Sequence, residues 1–351
     1  MSALADLFRP EIRALKPYEA ARYADGCLRL NANETPWRPA GDPTERGLNR
    51  YPEVRPERLR ERLAAHYGVA REQLLVTRGS SEGIELLIRA LCRAGRDGIL
   101  ICPPTFGMYR AYADIQGARV TEVPLRRDDG YAIDVDAILA AWRAETRLLF
   151  LCSPNNPTGN RLPTARIARL ATELDGRALV VVDGAYLEFA AEDPTRALLA
   201  QHENVVVLRT LSKALGLAGT RCGALLGDAA VVELLGRLLP PYCLPTPCVE
   251  AVLAALAPAA LDTARARIAE LIAERDWLAG RLAELAGIRR VWPSEANFLL
   301  VESGDPAACA ARAERAGILI RDFSSSPLLP GGLRITVSAR PDNERLLAAL
   351  E

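Results

Sequence analysis

From residue 74 onward, short apolar runs alternate with longer amphipathic segments. The apolar runs have the length of buried strands, and their hydrophobic residues are contiguous rather than alternating. Between two of them, Ile84, Leu87, Ile88 and Leu91 repeat at helical spacing. This alternation predicts a buried, mostly parallel sheet with helices between its strands. The runs lie at 74–76, 98–101, 148–152, 179–182, 205–208 and 223–226.

The pattern changes around the proline-rich stretch 238–248. A long amphipathic helix is predicted over 264–285, and strands with one more helix among them are predicted at 297–303, 317–323 and 333–338. We therefore expect an α/β protein in three parts. These are an N-terminal segment at 1–45, a large domain with a mostly parallel sheet flanked by helices at 46–245, and a smaller C-terminal α+β domain at 246–351.

Composition and charge narrow the class of protein. The 351 residues are 50% hydrophobic, and 44 basic side chains balance 44 acidic ones. Without a basic surplus, nucleic acid and anionic membrane are poor partners. The N-terminus has no apolar core and no run reaches membrane-spanning length, so neither a signal peptide nor a membrane helix is expected. Eight cysteines without a CxxC pair indicate reduced thiols in a cytoplasmic protein.

Two residue types are scarce, and both scarcities bear on chemistry. Histidine occurs only at His66 and His202, neither beside other ligand types at metal spacing, so we expect neither a metal site nor a serine-hydrolase triad. Lysine occurs only at Lys16 and Lys213, so the other 42 of the 44 basic residues (44 minus 2) are arginine. Arginine cannot be deprotonated, and a lysine kept after an apolar run therefore suggests amine chemistry. Lys16 has no comparable neighbours, and its role stays open.

Polar residues follow the predicted strands at their carboxyl ends, where ligands collect in an open α/β sheet. Each of them alone could be an ordinary turn residue or helix cap. Together they meet the needs of one ligand, pyridoxal phosphate (PLP). They are Ser80 and Ser81, Asn155 and Asn156, Asp183 and Tyr186, and Ser212 and Lys213.

PLP needs an amine that bonds to its aldehyde, a carboxylate for its pyridine nitrogen and donors for its phosphate. Lys213 is the predicted amine, and its pKa must be lowered by desolvation or by nearby positive charge. Asp183 is the predicted partner of the pyridine nitrogen. The other predicted contacts are Ser80, Ser81, Ser212 and Arg221 to the phosphate, Asn156 and Tyr186 to the phenolic oxygen, and Tyr109 stacked on the ring.

Three stretches occur in an order that resembles the class I and II aminotransferases of PLP fold type I. They are "SPNNPTG" (153–159), "VVDGAY" (181–186) and "TLSKALGLAGTRCG" (210–223). Within that family the resemblance is closest to the histidinol-phosphate aminotransferases, and it extends from "LNANETPW" (30–37) to "LRITV" (333–337). A single motif such as NPTG is a weak signal, whereas the ordered set is a strong one.

The resemblance implies a reaction and its catalytic residues. Glutamate would donate an amino group and imidazole acetol phosphate would accept it, which gives histidinol phosphate in histidine biosynthesis. Lys213 would move the proton at the substrate α-carbon, with Asp183 and Tyr186 as the other catalytic residues. Arg334 matches the family's ligand for the substrate α-carboxylate, where a planar fork suits a bidentate contact.

The resemblance also implies a homodimer with shared active sites. Tyr51 matches a tyrosine that reaches the cofactor phosphate of the neighbouring subunit, and residues 1–45 would pack on the small domain or on the partner. Tyr18, Asn33 and Arg321 match positions that line the substrate pocket.

One residue departs from the family pattern. The family usually has Glu after the pyridine-binding Asp, and this chain has Gly184 there. Alternate strand residues point to opposite faces, so residue 184 should face away from the ring. We therefore expect the glycine to leave the chemistry intact and to alter the packing behind the site.

Three other functions share parts of this pattern. An aromatic or broad-specificity aminotransferase would keep every cofactor residue and differ around Tyr18, Asn33 and Arg321. A threonine-phosphate decarboxylase, from the same wider family, would release carbon dioxide without a keto acid. A PLP-binding transcription regulator would carry an added DNA-binding domain, for which the early start of the match leaves no room.

Overall fold

The computed structural model of the protein describes residues 3–22 and 27–351. The strands are β1 (Leu74–Thr77), β2 (Gly98–Ile101), β3 (Arg119–Glu122), β4 (Thr146–Cys152), β5 (Leu179–Asp183), β6 (Val205–Thr210), β7 (Gly223–Leu226), β8 (Ile288–Val291), β9 (Phe298–Ser303), β10 (Arg321–Asp322) and β11 (Gly332–Thr336). The helices are α1 (Pro10–Arg13), α2 (Glu57–Tyr67), α3 (Ser80–Leu91), α4 (Met108–Gln116), α5 (Val135–Ala140), α6 (Thr164–Glu173), α7 (Thr195–Gln201), α8 (Ala229–Gly236), α9 (Thr246–Ala255), α10 (Pro258–Ala283), α11 (Pro306–Arg315) and α12 (Arg340–Leu350).

The larger sheet has seven strands in the order β1-β7-β6-β5-β4-β2-β3. Pairings among β2 to β6 are parallel, whereas β7 runs antiparallel to both of its neighbours, β1 and β6. Two reversals cancel, so β1 points the same way as the parallel strands. The carboxyl ends of β1, β4, β5 and β6 therefore lie on one edge of the sheet, and β7 begins there. The predicted α/β architecture with a mostly parallel sheet is confirmed.

Both faces of this sheet are covered, which explains why its strands are apolar throughout. In β5, Val180 and Val182 belong to one buried core, and Leu179 and Val181 belong to the core on the opposite face. Along a strand, alternate side chains enter opposite layers, so every position meets an apolar layer. The first of these cores also includes Val252 of α9 and Leu256 directly after it. The second includes Leu4, Leu7 and Phe8.

The smaller sheet is antiparallel, with the order β10-β11-β9-β8. Its core is built from Leu299, Val301, Leu333 and Ile335 together with residues of α10, α11 and α12. A separate apolar cluster joins the two sheets, because Tyr186 and Phe189, after β5, pack with Ala296 and Phe298 at the start of β9. This contact brings the smaller sheet to the carboxyl edge of the larger one.

Some element bounds differ from the sequence prediction. The apolar run 317–323 forms only the two-residue strand β10, because the Ile318 N–H bonds to the Ala313 carbonyl after α11 instead of entering the sheet. Helix α4 begins at Met108, which leaves Phe106 in the loop before it. Within the described residues no single helix could cross a membrane by length and composition, and α9 with α10 meet that test only as a pair bent by 74°.

Candidate active site

The strand ends bring seven of the eight predicted polar residues to one cavity of about 290 Å³. The eighth, Asn155, does not line it, and its amide donates instead to the Pro104 carbonyl and to Thr158. Asn156 follows β4, Asp183 ends β5, and Lys213 follows β6. Neighbouring strands hold them in register, since Cys152 pairs with Asp183 and Asp183 pairs with Leu208. The cavity is lined by Gly79, Ser80, Ser81, Phe106, Cys152, Asn156, Asp183, Ala185, Tyr186, Thr210, Ser212, Lys213, Ala218, Arg221 and Arg334.

Asp183 lies at the inner end of this cavity with only 2% of its surface exposed. Its Oδ2 accepts a hydrogen bond from the Tyr109 hydroxyl at 2.8 Å, and its Oδ1 accepts one from the Ala185 N–H at 3.2 Å. Burial raises the pKa of this carboxyl to about 6, and the two hydrogen bonds act in the opposite direction. A buried carboxylate of this kind can accept a hydrogen bond from a cationic ring nitrogen and so keep that nitrogen protonated.

Lys213 reaches the cavity from the loop after β6. Partial desolvation, followed by the positive charges of Arg334 and Arg221, lowers the pKa of its amine. Its Nζ lies 5.9 Å from the centre of the Tyr186 ring. The lowered pKa increases the fraction of neutral amine, which is the nucleophilic form.

One end of the cavity is suited to a phosphate. Ser80 and Ser81 open the twelve-residue helix α3, whose first backbone N–H groups have no partners within the helix. Gly79, before them, has a φ of +76° and packs so closely under Arg221 that an added Cβ would lie 2.9 Å from its Nη2. Arg221 itself adopts a φ of +51°, and Ser212 lines the same cavity. Helix terminus, guanidinium and hydroxyls thus converge on one region.

A chain of hydrogen bonds crosses the cavity from the larger sheet to the smaller one. The Asn156 amide donates to the Tyr186 hydroxyl at 3.3 Å, and Arg334 Nη1 donates to Asn156 Oδ1 at 2.5 Å. Tyr186 is nearly buried and meets Phe298 edge to face, with ring centres 5.1 Å apart. Burial lowers the pKa of Arg334 from its ordinary value. Tyr186 acts in the opposite direction, and the charge of Arg321 lowers the pKa further.

Arg321 stands directly beside Arg334 across the β10–β11 pairing. Both guanidinium groups lie near the Phe323 ring, with the central carbon of each 5.6 Å from the ring centre. Arg334 lines the cavity, whereas Arg321 is exposed and does not line it. Two adjacent arginines of this kind suit a ligand with more than one anionic group.

Three predicted residues lie elsewhere in the described chain. Tyr18 and Asn33 are exposed in the N-terminal segment, and neither lines the cavity within the part of the chain that the structure describes. Tyr51 stacks on Tyr242 with ring centres 4.7 Å apart and remains half exposed. Its backbone N–H donates to Glu34 at 2.8 Å, so the buried Glu34 carboxylate fixes the loop that presents this ring.

The predicted stacking of Tyr109 on the cofactor ring needs correction. Tyr109 is fully buried beneath Asp183, and its ring is stacked on Phe150 with centres 4.9 Å apart. Phe106 lines the cavity in its place. Helix α4 begins at Met108, so Phe106 in the loop before it turns into the cavity and Tyr109 turns into the core. The sequence signal that could have identified Phe106 is the "PPTFG" turn (103–107), which places this residue before the helix.

Gly184 lies behind the cavity. A Cβ added there would lie 2.5 Å from Leu187 Cδ1 and 3.2 Å from the Leu208 carbonyl oxygen, neither of which lines the cavity. In the described part of the chain, no group of three or more His, Cys, Asp or Glu side chains could hold a metal ion.

The cavity residues fit PLP. The cavity combines a buried carboxylate, an amine of lowered pKa and a helix N-terminus beside Arg221, which match the ring nitrogen, the aldehyde and the phosphate of the cofactor. The family of class I and II aminotransferases matches residues 32–351 of this chain. The protein therefore belongs to that family, and it is an aminotransferase.

Close relatives carry a more specific name. The histidinol-phosphate aminotransferase of Stenotrophomonas maltophilia (strain R551-3) is 46% identical over 350 residues, which cover 98% of this chain and 95% of that protein. The protein of the same name from Xylella fastidiosa (strain 9a5c) is 47% identical over 349 residues, with 98% and 95% covered. The crystal structure of histidinol-phosphate aminotransferase from Sinorhizobium meliloti in complex with pyridoxal-5'-phosphate has a TM-score of 0.77 and 27% identity, covering 86% of this chain and 82% of that chain.

Proposed function

We propose that this protein is a PLP-dependent enzyme that transfers an amino group between glutamate and imidazole acetol phosphate, which gives histidinol phosphate in histidine biosynthesis. The observation that carries this proposal is the meeting of Lys213, Asp183 and Arg334 at one cavity, in a chain that matches histidinol-phosphate aminotransferases over almost its whole length. The names of these relatives do not favour an aromatic aminotransferase or a threonine-phosphate decarboxylase.

Different residues of the cavity would contact different parts of PLP. Asp183 would accept a hydrogen bond from the protonated pyridine nitrogen, Asn156 and Tyr186 would face the phenolic oxygen, and Ser212 with Arg221 would bind the phosphate at the start of α3. Bound PLP supplies an aldehyde that bonds to amines and a protonated ring that spreads the electron pair left by the α-proton.

Lys213 has two duties in this proposal. Its neutral amine would hold PLP through the cofactor's aldehyde. Its free amine would stand beside the substrate α-carbon, where it would take up and move the α-proton as general base. A base with a lowered pKa is matched to this task near neutral pH.

Arg334 orients the substrate for that proton transfer. Its guanidinium already lies against Asn156 Oδ1, so a substrate carboxylate bound to its fork lies next to the predicted ring site. Arg321, its cross-strand neighbour, would bind a second anionic group, such as the side-chain carboxylate of glutamate or the phosphate of the acceptor.

The proposal includes a homodimer in the cytoplasm. Large apolar side chains are exposed along residues 15–51, among them Leu30 at 85% and Trp37 at 77%, which favours a contact with a second copy. Tyr51, presented by its clamped loop, would reach the partner's cofactor phosphate, and Tyr18 and Asn33 would line a substrate pocket of the assembled dimer. The eight cysteines are free thiols, in keeping with a reducing compartment.

The domain limits also remain proposals. We propose an N-terminal segment at 1–45, the PLP-binding domain at 46–245 and the small domain at 246–351. The larger sheet, within 74–226, and the smaller sheet, within 288–336, support these limits. Helix α9 and residues 4–8 also contact the cores of the larger sheet, across these limits.

The test is an amino-exchange assay with histidinol phosphate and 2-oxoglutarate, run beside phenylalanine and phosphothreonine as competing substrates. We expect turnover of histidinol phosphate, and borohydride reduction should leave the cofactor attached to Lys213 in a peptide map. Lys213→Arg is the matched control, since it keeps the charge and should abolish both the attachment and the turnover. A protein that binds PLP at Lys213 but prefers phenylalanine, or that releases carbon dioxide from phosphothreonine, contradicts the named substrate.

The dimer is tested by light scattering of the purified protein. The expected mass is twice that of the 38.1 kDa chain. Leu30→Glu with Trp37→Glu should lower it to that of one chain and weaken cofactor retention, whereas a monomeric wild type would contradict the shared site.

A further inference from the structure

Tyr109 makes the one side-chain hydrogen bond that Asp183 receives among the described residues. The Tyr109 hydroxyl donates to Oδ2 at 2.8 Å, while the Ala185 N–H donates to Oδ1 at 3.2 Å. Each oxygen of the carboxylate therefore has one donor from the protein, and each keeps acceptor capacity toward the cavity. The two donors fix the plane of the carboxylate.

The tyrosine itself has little freedom to move. Its side chain is fully buried, its ring is stacked on Phe150 at 4.9 Å, and Phe106 meets it edge to face at 5.7 Å. Rings packed on both sides hold the side chain in one rotamer, so the hydroxyl stays directed at Asp183. Phe106 also lines the cavity, which couples this packing directly to the ligand site.

The hydrogen bond has an electrostatic consequence. Burial disfavours the charged form of Asp183, and the Tyr109 hydroxyl is the larger of the two contributions that favour it. Burial and the neighbouring carboxylate raise the pKa of Tyr109 far above its ordinary value, so this hydroxyl keeps its proton and acts as a donor.

We propose that Tyr109 is a positioning residue, which keeps Asp183 ionised and aimed at the pyridine nitrogen of PLP. The inference rests on the proposed cofactor site. When the hydroxyl is lost, the proton between the ring nitrogen and Asp183 shifts toward the carboxylate. The ring then carries less positive charge and attracts the electron pair of the α-carbon less strongly.

Tyr109→Phe tests this directly, because it deletes the hydroxyl and keeps the ring on Phe150. Apoprotein would be titrated with PLP labelled with ¹⁵N at the ring nitrogen, and the ¹⁵N shift would be read in the complex. We expect the dissociation constant of PLP to rise about tenfold, or about 1.4 kcal/mol, and the ¹⁵N signal to move toward that of the unprotonated ring. A packing defect alone would leave the protonation state of the bound ring unchanged.

Tyr131→Phe is the matched control. Tyr131 is equally buried, in the core on the opposite face of the sheet, and its hydroxyl points to the Leu328 carbonyl. The Tyr131→Phe variant should have the same ¹⁵N shift and the same PLP affinity as the wild type. Wild-type values in Tyr109→Phe, or the same change in both variants, would overturn the inference. A wild-type protein that does not bind PLP would instead contradict the proposed function.

Discussion

Asp183→Asn should stabilise the apoprotein while it weakens the cofactor site. The carboxyl is buried, and its pKa lies at about 6 against an ordinary value of 3.8. This difference, at about 1.4 kcal/mol for each pKa unit, means that keeping the group ionised in the folded chain costs about 3 kcal/mol. Asparagine has nearly the same shape and carries no charge, so it avoids that cost and can still accept the Tyr109 hydrogen bond.

The sign of the pH dependence follows from the raised pKa. Between pH 4 and 6 the folded chain holds a proton on Asp183 that the unfolded chain has released, so the free energy of unfolding falls as the pH rises through this window. Above it the full cost is present, and below it Asp183 is neutral in both states. The variant should therefore exceed the wild type by up to about 3 kcal/mol at pH 8 and by little at pH 4.

Urea unfolding of both apoproteins at pH 4 and pH 8 measures this difference. Asp97→Asn is the control of opposite sign, since Arg93 and Arg147 bind this buried carboxylate and its pKa is lowered in spite of burial. That variant should lose stability, and more at pH 8 than at pH 4, because a depressed pKa contributes stability only where the group is ionised.

Added PLP should reverse the order at position 183. The wild type gains free energy of unfolding by binding the cofactor, whereas Asp183→Asn should gain much less, because the amide cannot hold the pyridine proton. A variant that is less stable than the wild type by the same amount at both pH values, without cofactor, would refute the reasoning. Such a result would mean that the buried charge carries no cost in the folded chain.

Three further variants probe other parts of the structure. Arg334→Lys loses the planar fork, so KM for glutamate should rise by about tenfold or more while PLP affinity, measured by titration, stays as in the wild type; an equal loss of both would contradict a role in carboxylate binding. Arg209→Met should lower the free energy of unfolding by about 3–5 kcal/mol, because Arg209 is 3% exposed and bound to two carboxylates. Arg265→Met removes one partner of an exposed ion pair and should lower it by under about 0.5 kcal/mol in the same assay. Gly184→Glu should leave PLP affinity unchanged and cost about 1–3 kcal/mol of stability through contact with Leu187; if the loss comes from that contact, Leu187→Ala should recover part of it, and a large loss of PLP affinity would contradict the predicted packing role.

The sequence by itself determined the layers of the fold and pointed to most of the polar residues that line the cavity. Contiguous apolar runs occur only where both faces of a strand are covered, so the runs at 179–182 and 205–208 predict central strands. A polar residue that follows a parallel strand of this kind lies at or near the carboxyl edge of the sheet. Asp183 and Lys213 were therefore predictable from local pattern, and the cavity contains both.

Only the tertiary structure decided what surrounds those residues. The antiparallel β7, which places Arg221 at the same edge, has the same apolar pattern as its parallel neighbours, because burial does not record strand direction. Tyr109 and Phe106 lie three positions apart in one aromatic turn, and which ring faces the ligand depends on where α4 begins, a matter of one or two residues. The meeting of Arg334 with Asn156 joins positions 178 residues apart, and it exists only because the smaller sheet packs over the strand ends of the larger one.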